Sequence, residues 1–395
     1  MSHTVADPAV ESASSPWASS PTAPPPPATS VRRVLHVVNG EHFSGAERVQ
    51  DLLAGYLPAC GYEVAFACVK ADRFPEARQH RGAALYEVPM RWKFDGLAAR
   101  RVAQLVRAEQ YELIHAHTPR SLLIGGLAAK RTSTPLIYHV HSPAGRDSTR
   151  VLQNRFNVWT ERTYARRSAQ LIAVSPSVRN YMIDQGFDPN HVSCVANGVP
   201  RLATPPRYAA PTTWTLGMAA LFRPRKGVEI LLEALAAARS TGIDVRLRAI
   251  GPFESTSYRR DTLRLVDRLA LEEAIDWTGF VHDVPAELAK IDALALPSLF
   301  GEGLPMVVLE AMAAGVPVIA SHVEGVPEAI RHRQDGLLVE PSSVSQLAYA
   351  IEELASGSFN YSAMSANAQR RHAARFSAEV MARGVADVYD RILSV

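Results

Sequence analysis

The sequence predicts an α/β fold made of two doubly wound domains whose ligand crevices face each other. Three observations carry this. From residue 31, short apolar runs with the look of buried strands alternate with segments of helical spacing. A Pro-rich passage, Pro200 to Pro211, interrupts that alternation. The same alternation then restarts at Trp214. A chain of 395 residues is long enough to bury two full cores.

Each element follows in order. Val31 to Asn39 is a largely apolar run ending in a Gly-containing loop and reads as the first strand. Val49, Leu52, Leu53 and Tyr56 recur at helical spacing within Ala46 to Leu57. Tyr62 to Val69 and Ala83 to Val88 read as strands, and Leu97 to Arg107 as a helix. Leu113 to His117 and Leu136 to His141 are strands around an Ala- and Leu-rich helix. Leu171 to Val174 and His191 to Val195 complete a parallel sheet covered on both faces. Beyond the linker, expected at 201–213, strands are predicted at Trp214 to Ala220, Val245 to Ile250, Ala274 to Trp277, Ala293 to Leu296 and Val316 to Ala320. Helices are predicted over Val228 to Ala238 and from about Pro305. The domains so defined are a Rossmann-like unit at 31–200 and a second at 214–376. Ser377 to Leu393, with Val380, Val385, Val388 and Ile392 broadly on one face, is expected as a terminal helix that packs back on the first domain. Two such domains place their crevices at the C-terminal ends of their strands, and when these merge the architecture is GT-B.

Composition excludes several classes. Hydrophobic content is 47% and charged content 21%, ordinary for a soluble globular protein. A net charge of +3 gives no ground for nucleic-acid binding. The three cysteines, Cys60, Cys68 and Cys194, form no dense framework, which points to a reducing, cytoplasmic compartment. Residues 1–30 hold seven of the 27 prolines with many Ser and Ala, and read as a disordered leader. No run reaches the roughly 18 to 20 apolar residues of a membrane span. Arg146, Arg150, Arg155, Arg162, Arg166 and Arg167, interleaved with Phe156, Trp159 and Tyr164, read as a solvated helix face. Their sharper reading is peripheral contact with an anionic membrane or acceptor.

The most informative segment is Phe300 to Ala320, FGEGLPMVVLEAMAAGVPVIA. Glu302 and Glu310 stand eight positions apart around Gly303, Leu304, Pro305 and Met306. Pro305 suits the first helical position, and the free amides of that turn attract phosphate. Carboxylates on both sides accept hydrogen bonds from sugar hydroxyls. A ligand with phosphates and many hydroxyls, a nucleotide-sugar, fits both. Arg223-Pro224-Arg225-Lys226-Gly227, at the end of the first strand of the second domain, suits a diphosphate leaving group. Phe43 to Arg48 follows the first strand of the chain, and Gly45 there lets backbone approach a ligand. His115 and His117, then His139 and His141, end two strands and are suited to sugar hydroxyls or phosphate. A metal is disfavoured, because no helical His pair or acidic cluster accompanies them.

Together these residues resemble glycosyltransferase family four, the retaining GT-B enzymes, over nearly everything from Val31 onward. The Gly301-Glu302-Gly303-Leu304-Pro305 run continuing to Glu310, and Ala313 to Val318, agree with the family in order and spacing. Ser44 to Arg48, Asn197-Gly198-Val199 and Pro224 to Gly227 support it. The resemblance implies that Glu310 holds the ribose of the donor nucleotide and Glu302 contacts the donor sugar. It implies that the amides of Leu304 and Met306 bind the diphosphate, that Arg223 and Lys226 neutralise it, and that His141 lies near the donor sugar with Gly45 on the phosphate side. His117, His139, Asn197, Glu324 and Glu328 are further candidates. The family's Gly-Arg pair falls on Ala220 and Leu221, so Arg223 stands in from two positions along the strand face.

The implied activity is hexosyl transfer from a nucleoside-diphosphate sugar with retention, to an acceptor such as a lipid-linked or polysaccharide precursor. No metal or other cofactor is implied. A dinucleotide oxidoreductase lacks its G-x-G-x-x-G after either first strand. A nucleotide-sugar epimerase and a silent sugar-nucleotide binder are the remaining alternatives.

Overall fold

A computed structural model describes residues 31–92, 95–143, 145, 158–159, 161–207 and 209–394. The leader read at 1–30, and Arg146, Arg150, Arg155 and Phe156 of the basic stretch, lie outside the described residues. The first domain runs β1 (Arg32–Val38), α1 (Gly45–Tyr56), β2 (Tyr62–Cys68), α2 (Arg73–Ala77), β3 (Ala84–Glu87), α3 (Gly96–Ala108) and β4 (Leu113–Ala116). It continues with α4 (Pro119–Thr132), β5 (Leu136–Val140), β6 (Gln170–Ala173), α5 (Pro176–Asp184) and β7 (Val192–Cys194). The seven strands lie in the order β3-β2-β1-β4-β5-β6-β7, and every pairing is parallel.

The second domain repeats the plan. It has β8 (Trp214–Ala219), α6 (Val228–Ser240), β9 (Val245–Ile250), α7 (Thr256–Arg268), β10 (Ile275–Gly279), α8 (Val284–Leu288) and β11 (Ala293–Leu296). Then come α9 (Met306–Ala313), β12 (Val318–Ser321), α10 (Val326–Ala329), β13 (Gly336–Val339), α11 (Val344–Ala355) and α12 (Tyr361–Arg375). The sheet order is β10-β9-β8-β11-β12-β13, again parallel throughout. The order reverses between β1 and β4 and between β8 and β11, which places a crevice at each switch point.

Most element boundaries shift by a residue or two from the sequence-based reading, and two of the shifts have a plain local cause. β12 starts at Val318, because Pro317 lacks the amide a ladder needs and Gly315 turns the chain at φ 66°. α9 starts at Met306, with Pro305 just outside it at ψ 122°. α7 and α12 carry little apolar spacing. The buried residues of α12 include Ser365, Ala368 and His372, small or polar groups that pattern reading skips.

The last helix, α13 (Ala378–Leu393), leaves the second domain and packs on α1 and the 57–60 turn of the first. The crossing is at the Asn197-Gly198-Val199 turn. Val199 N donates to Phe376 O and Ala378 N to Val199 O, both at 2.9 Å. A Cβ on Gly198 would lie 2.3 Å from Ser377 O, so only glycine lets the two backbones pass. One apolar cluster fills the first domain and continues through α9 and α13, while a second fills the outer half of the second domain.

Candidate active site

On the second-domain side, α9 is buried almost all round and carries a carboxylate, Glu310, inside it. The loop before it brings Glu302, also buried, against the 3-10 turn at Pro224–Lys226. Lys226 Nζ donates to Glu302 Oε1 at 2.5 Å and Ser298 Oγ to the same oxygen at 2.7 Å. Arg225 Nη1 lies 3.5 Å from that oxygen and donates to Phe300 O at 3.2 Å. Burial pushes the Glu302 carboxyl up, but Lys226 and Arg225 outweigh it and hold it below its usual value. Burial lowers the Lys226 ammonium, which Glu302 only partly offsets. Two cations thus face the Glu302 carboxylate, with the Glu324 carboxylate on the backbone of the same loop. Val308 and Leu309 donate to Pro305 O, so the amides of Met306 and Val307 precede the first helical bonds.

Arg223 Nη1 lies 3.6 Å from Glu254 Oε1, and its charge adds to that of Arg225 in lowering the Lys226 ammonium. Arg225, one of the three cations read from the sequence but given no separate role by the resemblance, takes the place beside Glu302. Glu324 accepts from Gly301 N at 2.9 Å and Glu302 N at 3.1 Å, so it shapes the loop that carries Glu302. Glu328 reaches the first domain, where it accepts from Ser177 N at 2.7 Å at the start of α5.

The first domain closes directly over this loop. A Cβ on Gly303 would stand 1.9 Å from His141 O, and one on Gly45 would stand 3.8 Å from Met306 Cγ. Asn197 Nδ2 donates to Leu304 O at 3.0 Å. Arg48, on α1, pairs with Glu310 Oε1 across the cleft, while Glu310 Oε2 is buried without a hydrogen-bond partner among the described residues. Burial lowers the Arg48 guanidinium to about 10. Further along the same rim, Glu41 is held by Lys70 Nζ at 3.0 Å and Arg120 Nη1 at 3.1 Å. Arg48 closes the Ser44–Arg48 motif of the sequence reading, which gives it no role of its own, while Lys70 and Arg120 carry no spacing signal that would have picked them out.

Behind His141 lie four more histidines, His36, His115, His117 and His139, all buried. His117 Nδ1 meets His141 Nε2 at 3.1 Å, and His117 Nε2 meets His36 Nδ1 at 3.2 Å. Burial pushes all five down, His36 and His141 to about 3, so all are neutral at ordinary pH. Two triads, His36/His115/His117 and His117/His139/His141, gather nitrogens within 4.8 Å of one another. In the second triad the ring planes favour hydrogen bonding over metal ligation, while His36 and His115 of the first cross at 64°. Each triad already contains a nitrogen pair at hydrogen-bond distance. His139 stacks on His141 at 4.5 Å and 18°, and His117 lies 17° from His141. Lone pairs of near-parallel rings run side by side, whereas a metal needs them to converge.

Two parallel-sheet domains that face each other across a cleft have the GT-B architecture, and comparison with known proteins gives the family. Residues 43–201 match the model described as Glycosyltransferase Family 4, and residues 213–357 match Glycosyl transferases group 1. The chain belongs to glycosyltransferase family four. It is 27% identical over 331 residues to the phosphatidyl-myo-inositol mannosyltransferase of Mycobacterium leprae, covering 80% of this chain and 79% of that one. It is 29% identical over 296 residues to an exopolysaccharide phosphotransferase of Streptomyces coelicolor, covering 74% of this chain. The match spans only 27% of that longer relative. Anabaena Alr3699/HepE, solved in complex with UDP-glucose, shares the fold at a TM-score of 0.79 and 22% identity, over 91% of this chain and 99% of that one. No helix among the described residues is long and apolar enough to cross a membrane.

Proposed function

We propose that this glycosyltransferase moves a hexosyl group from a nucleoside-diphosphate sugar to a lipid-linked or other anionic acceptor, with retention at the anomeric carbon. One observation carries the reading. The Lys226–Glu302 pair stands beside the Gly303–Met306 turn, with Glu310 in the helix that follows. Lys226 and Arg225 face the diphosphate as it leaves, together with the amides at the start of α9. Charge grows there in the transition state, and fixed cations in a water-poor cleft stabilise it most. No metal takes part in this scheme. Glu310 Oε2 accepts from the ribose hydroxyls of the nucleotide, and Arg48 holds the other oxygen in place. Glu302 holds a sugar hydroxyl with its outer oxygen while its Oε1 stays committed to Lys226 and Ser298. A carboxylate so engaged is a poor nucleophile, which favours front-side departure and attack over a covalent glycosyl-enzyme.

His141 and Gly45 face the donor from the first domain. The acceptor side falls to that domain, where Lys70 and Arg120 outnumber Glu41 at the strand ends. Their net positive charge suits a phosphate-bearing acceptor. The likeness to an enzyme named for a phosphatidyl-inositol substrate agrees with this. Three free cysteines support a cytoplasmic location, and we place the working protein at the inner face of an anionic membrane.

The test is thermal stabilisation across a panel of nucleotide-sugars, followed by NMR of the product anomer. Stabilisation by at least one nucleoside-diphosphate sugar and an anomer matching the donor are expected. An inverted product would overturn the mechanism. Sedimentation with liposomes of rising anionic content tests the membrane placement, and failure to bind at any content would remove it.

A further inference from the structure

The short segment 324–328, which leads into α10, touches both halves of the cleft. At its front, Glu324 accepts from Gly301 N at 2.9 Å and Glu302 N at 3.1 Å, and Gly325 N donates to Glu302 O at 2.9 Å. A Cβ on Gly325 would lie 1.6 Å from Gly303 O, so the segment runs directly against the loop that carries Glu302. Glu324 keeps φ at 31°, a left-handed value that costs a residue with a side chain and that these bonds hold in place. At its back, Arg371 of α12 donates to Ala329 O at 2.7 Å and to Glu328 O at 2.8 Å, which anchors α10 in its own domain.

The Glu328 side chain leaves that domain. An acid in the first turn of a helix ordinarily turns back onto the amides of its own helix. Glu328 instead crosses to α5 of the first domain, where one oxygen accepts from Ser177 N at 2.7 Å and the other lies 3.5 Å from Ser177 Oγ. The amides of α5 explain why a partner is wanted there. Pro176 has no N–H. Ser175 Oγ accepts from Val178 N at 3.3 Å, and Ser175 O from Arg179 N at 2.9 Å. That leaves Ser177 N as the amide of the first turn whose acceptor, among the described residues, comes from the other domain. The chain just before α5 also meets the Glu302 loop, since a Cβ on Gly303 would stand 3.2 Å from Val174 Cγ2.

We infer that Glu328 is a positioning residue: it latches α5 of the first domain to the segment that braces Glu302, so that closing the two domains and placing the Glu302 loop are one event. With the latch made, the contact on Ser177 presses the 324–328 segment against the backbone of Gly301, Glu302 and Gly303. With the domains apart, Glu328 and Ser177 N both face water, and the strained turn at Glu324 loses the support of the closed interface. The consequence for sugar transfer rests on the role proposed above for Glu302, while the coupling itself does not.

The experiment is amide hydrogen exchange of the unliganded full chain, read by mass spectrometry over peptides spanning 175–179 and 299–303. In Glu328→Ala, exchange should quicken about 10- to 100-fold in the first peptide, the range for losing a hydrogen bond to a charged group. The second peptide should quicken with it, although none of its residues has been changed. Glu328→Gln keeps an acceptor oxygen and should restore protection in both peptides together. A residue that merely capped α5 would loosen 175–179 alone, so wild-type protection of 299–303 in a folded Glu328→Ala protein would overturn the inference. So would a Gln variant that restored one peptide and not the other. In the transfer assay, Glu328→Ala should lower kcat about 10- to 100-fold with a smaller change in the donor KM, as misplacement of a site group does. Wild-type turnover with both peptides loosened would uphold the coupling and remove Glu302 from the reaction. Because exchange needs no substrate, the coupling is decided even in a protein that proves to have no transferase activity.

Discussion

The two halves of the cleft share one strand order and solve opposite electrostatic problems. The second domain buries charge. Lys226, Arg225 and Glu302 sit together inside the protein, and each tolerates burial because the others compensate it. The first domain buries five titratable rings and keeps them uncharged. Desolvation of an unpaired charge costs far more than desolvation of a neutral imidazole. The comparison teaches that one topological crevice supports either solution. On the function proposed above, the fixed charge of the second domain would meet the leaving diphosphate and the neutral rings of the first domain the sugar.

The largest expected effect tests the charged half. Lys226→Ala should lower donor turnover roughly 100- to 1000-fold, the range for removing a preorganised group from a developing anion. Turnover equal to wild type would remove Lys226 from the site. Next, Glu310→Ala should raise the KM for donor about 10- to 100-fold through loss of hydrogen bonds to a carboxylate, with a smaller change in kcat. Steady-state kinetics would separate the two.

The third prediction sets one half against the other. Folded His36 stays neutral down to about pH 3, while in the unfolded chain it protonates near 6.5. Its contribution to stability is complete above 6.5 and declines as pH falls below that value, by about 2 kcal/mol at pH 5. Four more depressed histidines lie beside it in the first domain, against His372, lowered to about 4, among the described residues of the second. Glu302 is held below 4.5, so its contribution persists until the pH falls lower still. Hydrogen exchange on acidification from pH 7 to 5 should therefore loosen the first domain before the second. The smallest expected effect is none. Excess chelator should leave transfer unchanged, and lost activity restored by a divalent ion would return a metal to the scheme.

Much of the second-domain half was legible because it is local. Glu302 and Glu310 are eight residues apart on one loop and helix, and Lys226 follows a strand end. Which of the three neighbouring cations faces Glu302 was not legible, because the 3-10 turn at Pro224–Lys226 settles it, with Arg223 pairing with Glu254 instead. In the first domain, histidines ending β4 and β5 announce themselves, but His36 looks like one more strand residue. Its bond to Tyr389 spans 353 positions, and no periodicity encodes that. The Asn197-Gly198-Val199 turn was readable as a motif, yet its physical reason needs the backbone of Ser377 beside it. α11 was within reach, since Leu347, Ile351 and Leu354 recur at helical spacing.

The crossing at Gly198 also sets an order of events during synthesis. Residues 378–393 emerge after the whole of the second domain, yet they cover α1 and supply Tyr389 to the interior of the first. Domains made first usually fold first. Here the first domain must wait, its central histidines lacking a hydroxyl partner, until the second has been made. The catalytic half that is read first by the ribosome is therefore the half finished last.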